Sequence, residues 1–306
     1  MNNKILIGSR GSKLAIIQAE IVARELKQVY PGLEIEICKI LTEGDRNRDI
    51  NIDKAGDTGI FVKALEEALL NHSIDIAVHS LKDLPTLLPQ GLRLAAVTQR
   101  MDPRDALVAS APLADLKPQS RIGTGSLRRS AQLRHVRPDL HICSIRGNVD
   151  SRLRRVRSGQ LEGVIVAAAA LIRLGWDDRI TAYLPVESFL PAVGQGALAV
   201  EARDGDRRIE DMIIPLNHLP TWQAVTAERA FLHTVEGGCR TPVAALATVH
   251  GEILEINAMV ANREGSKIIK DSYRGRAGLP REAGENLARS MLKAGAAGLI
   301  KDTRCR

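Results

Sequence analysis

The chain has 306 residues and a formal charge of +7, long enough for about two or three domains. Its 44% hydrophobic and 26% charged residues make a globular composition, and no apolar run reaches the roughly 18 residues that span a bilayer. Aromatic residues are only 3% of the chain, too few to stack single strands, so a compact anionic small molecule is a better partner for the excess charge than nucleic acid.

Met1-Asn2-Asn3-Lys4 runs straight into strand-like Ile5-Leu6-Ile7, so no secretory leader is expected and a cytoplasmic location is. Cysteines 38, 143, 239 and 305 lie far apart without a CxxC pair, which argues against a metal site and fits a reducing compartment.

Ile5 to Gly8 reads as a buried strand, and Ser12 after it as the N-cap of a helix carrying Leu14, Ile17, Ile21 and Leu26. Arg10 and Ser12 then sit at the amino end of a helix, where anions bind, although Ser12 is equally well a plain cap and Arg10 a surface charge. Leu33 to Leu41 is the next strand. Residues 42–58 are polar and aperiodic, either a lid over a site or a surface insertion. Phe61, Leu65, Ala68 and Leu69 mark a helix and Ile74 to Val78 a buried strand. His79-Ser80-Leu81-Lys82-Asp83-Leu84-Pro85 follows at that strand's carboxyl end, where open α/β sheets bind ligands. Asp83 is placed to accept a proton or face a cation and Lys82 to bind an anion, unless the two are an ordinary exposed pair.

Leu92 to Val97 is another strand, and Arg100 to Asp105, with Pro103 among alternating charges, marks a hinge. Beyond it the charge concentrates: residues 121–157 hold ten arginines, no lysine and two aspartates, a local balance of +8 in a chain of +7. Arginine's planar fork grips carboxylates and phosphates in pairs, so this stretch reads as the lining of a polyanion site. Arg121 to Gly123 forms a strand, and Thr124-Gly125-Ser126 starts a helix with Arg128 and Arg129 in its first turns. Positive charge there opposes the helix dipole unless an anion lies nearby. Arg146-Gly147-Asn148, after the strand His141 to Ser144, repeats the design. Its helix turns Val149, Leu153 and Val156 to the core, with Arg152 and Arg155 on another face.

Gly163 to Ala170 passes from strand to helix, with Arg173 near its end. Pro191 to Gly196, which includes Gln195, is a glycine-bounded turn, and Ala197 to Ala202 a strand returning to the first lobe. Two lobes crossed twice by the chain would make a hinged pair with a cleft. From near His218 a third region begins: a helix after Pro220, a turn at Val235 to Pro242, strand-like alternation from Ala244 to Asp271, and a helix from about Pro280 to Ala294. Cys239 lies in that turn, incidental or available for covalent work. Cys38 and Cys143 read as core packing.

Five motifs together, His79 to Pro85, Gly123 to Arg129, Arg146-Gly147-Asn148, Leu190 to Gly196 and Glu236-Gly237-Gly238-Cys239, resemble the porphobilinogen deaminase (hydroxymethylbilane synthase) family over nearly the whole length. The resemblance implies an α/β fold with two lobes like a type II periplasmic binding protein plus a small C-terminal α+β domain. The divisions expected are 1–99 with 197–216, 104–193, and 217–306. It implies a dipyrromethane cofactor held through a thioether at Cys239 and a catalytic carboxylate at Asp83. It assigns the cofactor further contacts at Ser12, Lys82, Thr124, Ser126, Arg128, Arg129, Arg146 and Gly147. Porphobilinogen and the growing oligopyrrole would meet Arg10, Ser12, Arg146, Arg152, Arg173 and Gln195. Each pyrrole carries an acetate and a propionate, the polyanion the arginines require. The family reaction is implied as well: ammonia leaves each porphobilinogen, the chain grows on the covalent primer, and water releases a linear tetrapyrrole. The expected protein is a monomer with no metal and no nucleic-acid or membrane partner. Thr58 stands where many relatives have lysine and Gly125 where serine is usual, while Lys54 matches a family lysine. The competing expectation is a non-catalytic anion binder of the periplasmic type, with Cys239 unmodified.

Overall fold

A computed structural model of the chain describes residues 4–40, 59–238 and 241–304. Lys54, Thr58, Cys239 and Cys305, with the whole 42–58 segment, lie outside the described residues. The chain divides into two compact units, residues 1–100 with 197–222, and residues 101–196 with 223–306.

The first unit is built on a five-stranded sheet of order β2-β1-β3-β10-β4. Its strands are β1 (Lys4–Arg10), β2 (Glu34–Ile40), β3 (Ile76–Ser80), β4 (Leu92–Val97) and β10 (Leu198–Arg203). β1 runs parallel to β2 and β3, whereas β10 is antiparallel to both of its neighbours. β3 and β10 are almost wholly buried because both faces are covered. Helices α1 (Lys13–Val29) and α6 (Arg207–Ile213) bury Val22, Leu26, Ile209 and Ile213 on one face. On the other face α2 (Gly59–Leu70) seats Leu65, Ala68 and Leu69 against Ile74 and Ala77. Each such fully buried aliphatic side chain contributes roughly 1.5–3 kcal/mol.

The second unit holds two sheets. One has the order β7-β6-β8-β5-β9. Its strands are β5 (Asp105–Ala109), β6 (Arg121–Thr124), β7 (His141–Ser144), β8 (Gly163–Ala167) and β9 (Ala182–Tyr183). Here β6 is parallel to β7 and β8, and β5 is antiparallel to β8. Both sheets thus place an antiparallel strand beside the third position of a parallel run. Helices α3 (Leu127–Val136), α4 (Val149–Arg157) and α5 (Ala168–Arg173) pack on this sheet.

The other sheet is an antiparallel meander of β11 (Val243–His250), β12 (Ile253–Ala261) and β13 (Ile268–Arg276). Alternation along these strands gives it two apolar faces. Ala245, Ala247, Ile256 and Ala258 meet α7 (Leu219–Thr234), α8 (Pro280–Lys293) and α9 (Ala296–Arg304). Ala244, Leu246, Met259 and Ala261 meet Ala131 of α3 and Leu190. The arginine-bearing helix and the sheet that follows position 239 therefore share one core. A Cβ on Gly265 would overlap the Ala131 carbonyl, which fixes how closely the hairpin after β12 approaches α3. Arg134 donates to the Arg263 carbonyl at 2.8 Å beside that contact.

Candidate functional site

In the first unit the strand ends carry the expected residues. Arg10 closes β1, and Ser12 is the N-cap of α1, its Oγ accepting from Ala15 N at 3.3 Å. Lys82 and the exposed Asp83 lie in a 3-10 turn, Leu81–Asp83, directly after β3. Two contacts hold the strand end that leads into it, one on each face of the sheet. Gln18 of α1, itself buried, donates to Ser80 Oγ at 2.8 Å. On the α2 side, His79 Nε2 lies 3.0 Å from Glu201 Oε2 of β10, with both side chains buried. Leu81 N donates to the Ala197 carbonyl, tying the turn to the strand that returns from residue 196. Glu66 of α2 completes a buried group of three ionisable side chains. Burial, then the negative charge of Glu201, pushes its carboxyl above the ordinary range.

In the second unit the glycine turns bring the arginines to helix starts. The Ser126 Oγ caps α3, accepting from Arg129 N at 3.5 Å, and Thr124 Oγ1 accepts from Ser126 N at 3.2 Å. A Cβ on Gly125 would come within 2.6 Å of the Ile145 carbonyl, so the absence of a side chain lets this turn lie against the residue before Arg146. Gly147 has φ +109°, and Arg152 Nε donates to its carbonyl at 2.8 Å. Asn148 begins α4 without a side-chain cap bond. Arg146 is exposed and Arg152 half-buried, while Arg154 pairs with Asp150 along the helix at 3.3 Å.

Arg128 and Arg129 are placed otherwise than a basic surface would suggest: they are 4% and 5% exposed. The anion beside them in this structure is Asp105, the first residue of β5, which is fully buried. Arg128 Nη1 donates to Asp105 Oδ2 at 2.7 Å and to the Leu190 carbonyl at 2.7 Å. Arg129 donates to Asp105 Oδ1 through Nε at 3.0 Å and Nη2 at 2.7 Å. Burial opposes ionisation of Asp105, but the two guanidiniums outweigh it and hold the carboxyl well below its usual range. Gln195 belongs to the same group, with Nε2 donating to Asp105 Oδ1 at 2.9 Å and to the Pro103 carbonyl at 2.7 Å. Arg173 donates to the Gly196 carbonyl at 2.7 Å. Gly194 N is held at 2.7 Å by the buried Glu228 of α7, whose other oxygen accepts from Ala247 N.

Sequence reasoning named Arg128, Arg129 and Gln195 but missed Asp105, Glu201 and Glu228. Asp105 was legible only as one charge of the hinge. Glu201 and Glu228 interrupt otherwise apolar buried runs, and that was the available signal.

The local geometry can receive an anionic group at the two guanidiniums. The buried cluster holds two guanidiniums and one carboxylate among the described residues, and Arg128 Nε is buried there without a partner. The described residues on either side of positions 239 and 240 are tied together: Gly238 N donates to Thr241 Oγ1 at 2.8 Å and Thr241 Oγ1 donates to the Gly238 carbonyl at 2.7 Å. No group of three or more metal-binding side chains occurs among the described residues, and none of their helices is long and apolar enough to cross a membrane.

Two family models match the chain. Residues 5–211 match "Porphobilinogen deaminase, dipyromethane cofactor binding domain", and residues 222–293 match "Porphobilinogen deaminase, C-terminal domain". The porphobilinogen deaminase of Geobacter metallireducens is 47% identical over 294 residues, covering 96% of this chain and 92% of that protein. That of Moorella thermoacetica is 44% identical over 303 residues, covering 98% and 97%. Because both models and the full-length relatives agree along the whole fold, the chain belongs to the porphobilinogen deaminase family.

Proposed function

We propose that the chain is a transferase that joins porphobilinogen units, with release of ammonia, into hydroxymethylbilane for tetrapyrrole synthesis, working in the cytoplasm as a monomer without nucleic acid. The observation that carries this reading beyond family membership is the buried contact cluster of Arg128 and Arg129 with Asp105, the one acid that touches them among the described residues, which leaves a local excess of one formal positive charge. Burying net charge costs several kcal/mol unless an ion arrives to balance it, and a pyrrole carboxylate is such an ion. A bare anion receptor would account for the charge but not for a cysteine in a loop whose described neighbours are fastened to each other.

Cys239 is the proposed attachment point of the dipyrromethane, with Ser12, Lys82, Asp83, Thr124, Ser126, Arg128, Arg129, Arg146 and Gly147 as its further proposed contacts. When bound, the cofactor supplies the free pyrrole position on which the chain lengthens. Arg10, Ser12, Arg146, Arg152, Arg173 and Gln195 are the proposed contacts for the carboxylates of porphobilinogen and the lengthening chain. Asp83, exposed at the end of β3, is suited to accept pyrrole N–H groups and to stabilise positive charge that develops on the ring. The three-way division 1–99 with 197–216, 104–193 and 217–306 is the matching proposal for the domains.

Intact-mass measurement tests the reading. The purified chain should carry added mass equal to a dipyrromethane, mapping to Cys239, and Cys239→Ser should lack both that mass and turnover. An unmodified Cys239 in an active enzyme would reject the covalent role.

A further inference from the structure

We infer that Asp105 is a positioning residue for the cofactor: it consumes one of the two buried guanidinium charges and leaves the other for a single carboxylate of the bound pyrrole. This rests on the reading of Arg128 and Arg129 proposed above.

Asp105 is the only acid in contact with either arginine among the described residues. Its two oxygens divide the work. Oδ1 accepts from Arg129 Nε, Arg129 Nη2 and Gln195 Nε2, whereas Oδ2 accepts from Arg128 Nη1. Arg129 is thereby gripped through two nitrogens, and its Nη1 donates to the Ile165 carbonyl at 3.2 Å. Among the described residues Arg128 is held only through Nη1, and its buried Nε has no partner. The two guanidiniums are thus unequal: Arg129 is committed to the protein, and Arg128 keeps donor capacity for a ligand.

Both arginines occupy the first turn of α3, where the helix's own partial charge is positive as well. Without Asp105, two like charges and a dipole end would repel one another in a space closed to water, and neither side chain would keep its orientation. The same carboxylate reaches, through Gln195, the two stretches at residues 103 and 195 that border the first unit in sequence. Arginine orientation is therefore set by one acid whose charge must be matched in number as well as place.

The test uses the whole chain, weighed intact before and after incubation with porphobilinogen, and melted in parallel. Asp105→Asn, an isosteric change, should remain folded at a lower melting temperature, with the cofactor-bearing fraction down at least about tenfold, as when a supporting partner of a binding group is lost. Asp105→Ala should regain part of that fraction in sodium formate, which can occupy the vacated carboxylate position, and not in sodium chloride of equal ionic strength. Wild-type loading of a folded Asp105→Asn, or equal response of Asp105→Ala to both salts, overturns the inference while leaving the family reading intact. If even the unaltered chain bears no mass on Cys239, the cofactor reading fails instead. The charge count is then judged by melting alone: Asp105→Asn with Arg129→Gln should be more stable than Asp105→Asn, and a double variant that is less stable overturns it.

Discussion

Gly238 and Thr241 bond to each other three times across positions 239 and 240: Thr241 N donates to the Gly238 carbonyl at 3.0 Å, and the threonine hydroxyl accepts from the glycine N–H and donates to the same carbonyl. Thr241 is buried and lies two residues before β11, so the closure is anchored in the core of the meander sheet. The proposed attachment of a large ligand at Cys239 would benefit from neighbours fastened in this way.

Thr241→Val keeps the volume and the backbone bond and removes both hydroxyl bonds, which should cost about 1–3 kcal/mol, chiefly for the Gly238 N–H left unsatisfied, and slow attachment at Cys239. Thr241→Ser retains the hydroxyl and should restore most of the loss. Time-resolved intact mass of the three proteins checks this, and identical attachment rates would show that the clasp is irrelevant to the loop.

Asp83→Asn keeps the shape of the 3-10 turn while removing its charge. Turnover should fall by about 100-fold or more, the scale of losing one electrostatic or proton-transferring group, with the mass at Cys239 retained. Steady-state rates together with intact mass separate this from a failure to assemble.

His79 and Glu201 form a buried pair one strand apart in the sheet, immediately before the turn that carries Lys82 and Asp83. Removing one partner leaves the other buried alone, so His79→Leu should destabilise by about 3–5 kcal/mol and lower kcat with little change in KM. Chemical denaturation and kinetics report the two effects.

Glu66 supplies a pH dependence of definite sign. Because burial and Glu201 raise its folded pKa above the unfolded value, its contribution to stability is fully present below the ordinary glutamate range and is lost as pH rises through the raised value. Melting temperatures of the native chain should therefore decline over that interval more than those of Glu66→Gln. Parallel curves for the two proteins would exclude the carboxyl as the cause.

Gly147 sits at φ +109°, and a side chain there would overlap Ser151 Oγ. Gly147→Ala should cost about 1–3 kcal/mol from backbone strain and, by shifting the carbonyl that Arg152 grips, raise KM for porphobilinogen. Calorimetry and saturation kinetics are the measurements.

Much of this was legible along the chain because local patterns report local structure. Leu92 to Val97 and His141 to Ser144 match β4 and β7 at both ends, and the apolar run from Gly163 divides into β8 and α5 as its length requires. Ser12 and Ser126 are caps, as their place before apolar periodicity indicated. Charge pairing was less legible because it is not local. Asp105 meets arginines 23 and 24 positions away, and His79 meets a glutamate 122 positions away. The conflict of Arg128 and Arg129 with the helix dipole did signal a nearby anion. That the protein supplies one itself depends on strand order, which periodicity does not encode. Contacts also join residues 101–196 and 223–306 into one compact unit, a pairing between segments distant in sequence that periodicity does not encode.

The place of β10 between β3 and β4 bears on how the polypeptide emerges during synthesis. The amino-terminal sheet lacks its fourth strand until residues 198–203 have been made, so until then β3 and β4 expose unpaired backbone edges. The sheet of β5 to β9 is contiguous between residues 105 and 183 and can close earlier. Translation from the amino terminus thus favours completion of the β5 to β9 sheet before the amino-terminal one, and a ribosome stalled between residues 183 and 198 would present a completed sheet, with Ala131 and Leu190 still lacking their partners from β11 and β12, and an adhesive, unfinished one.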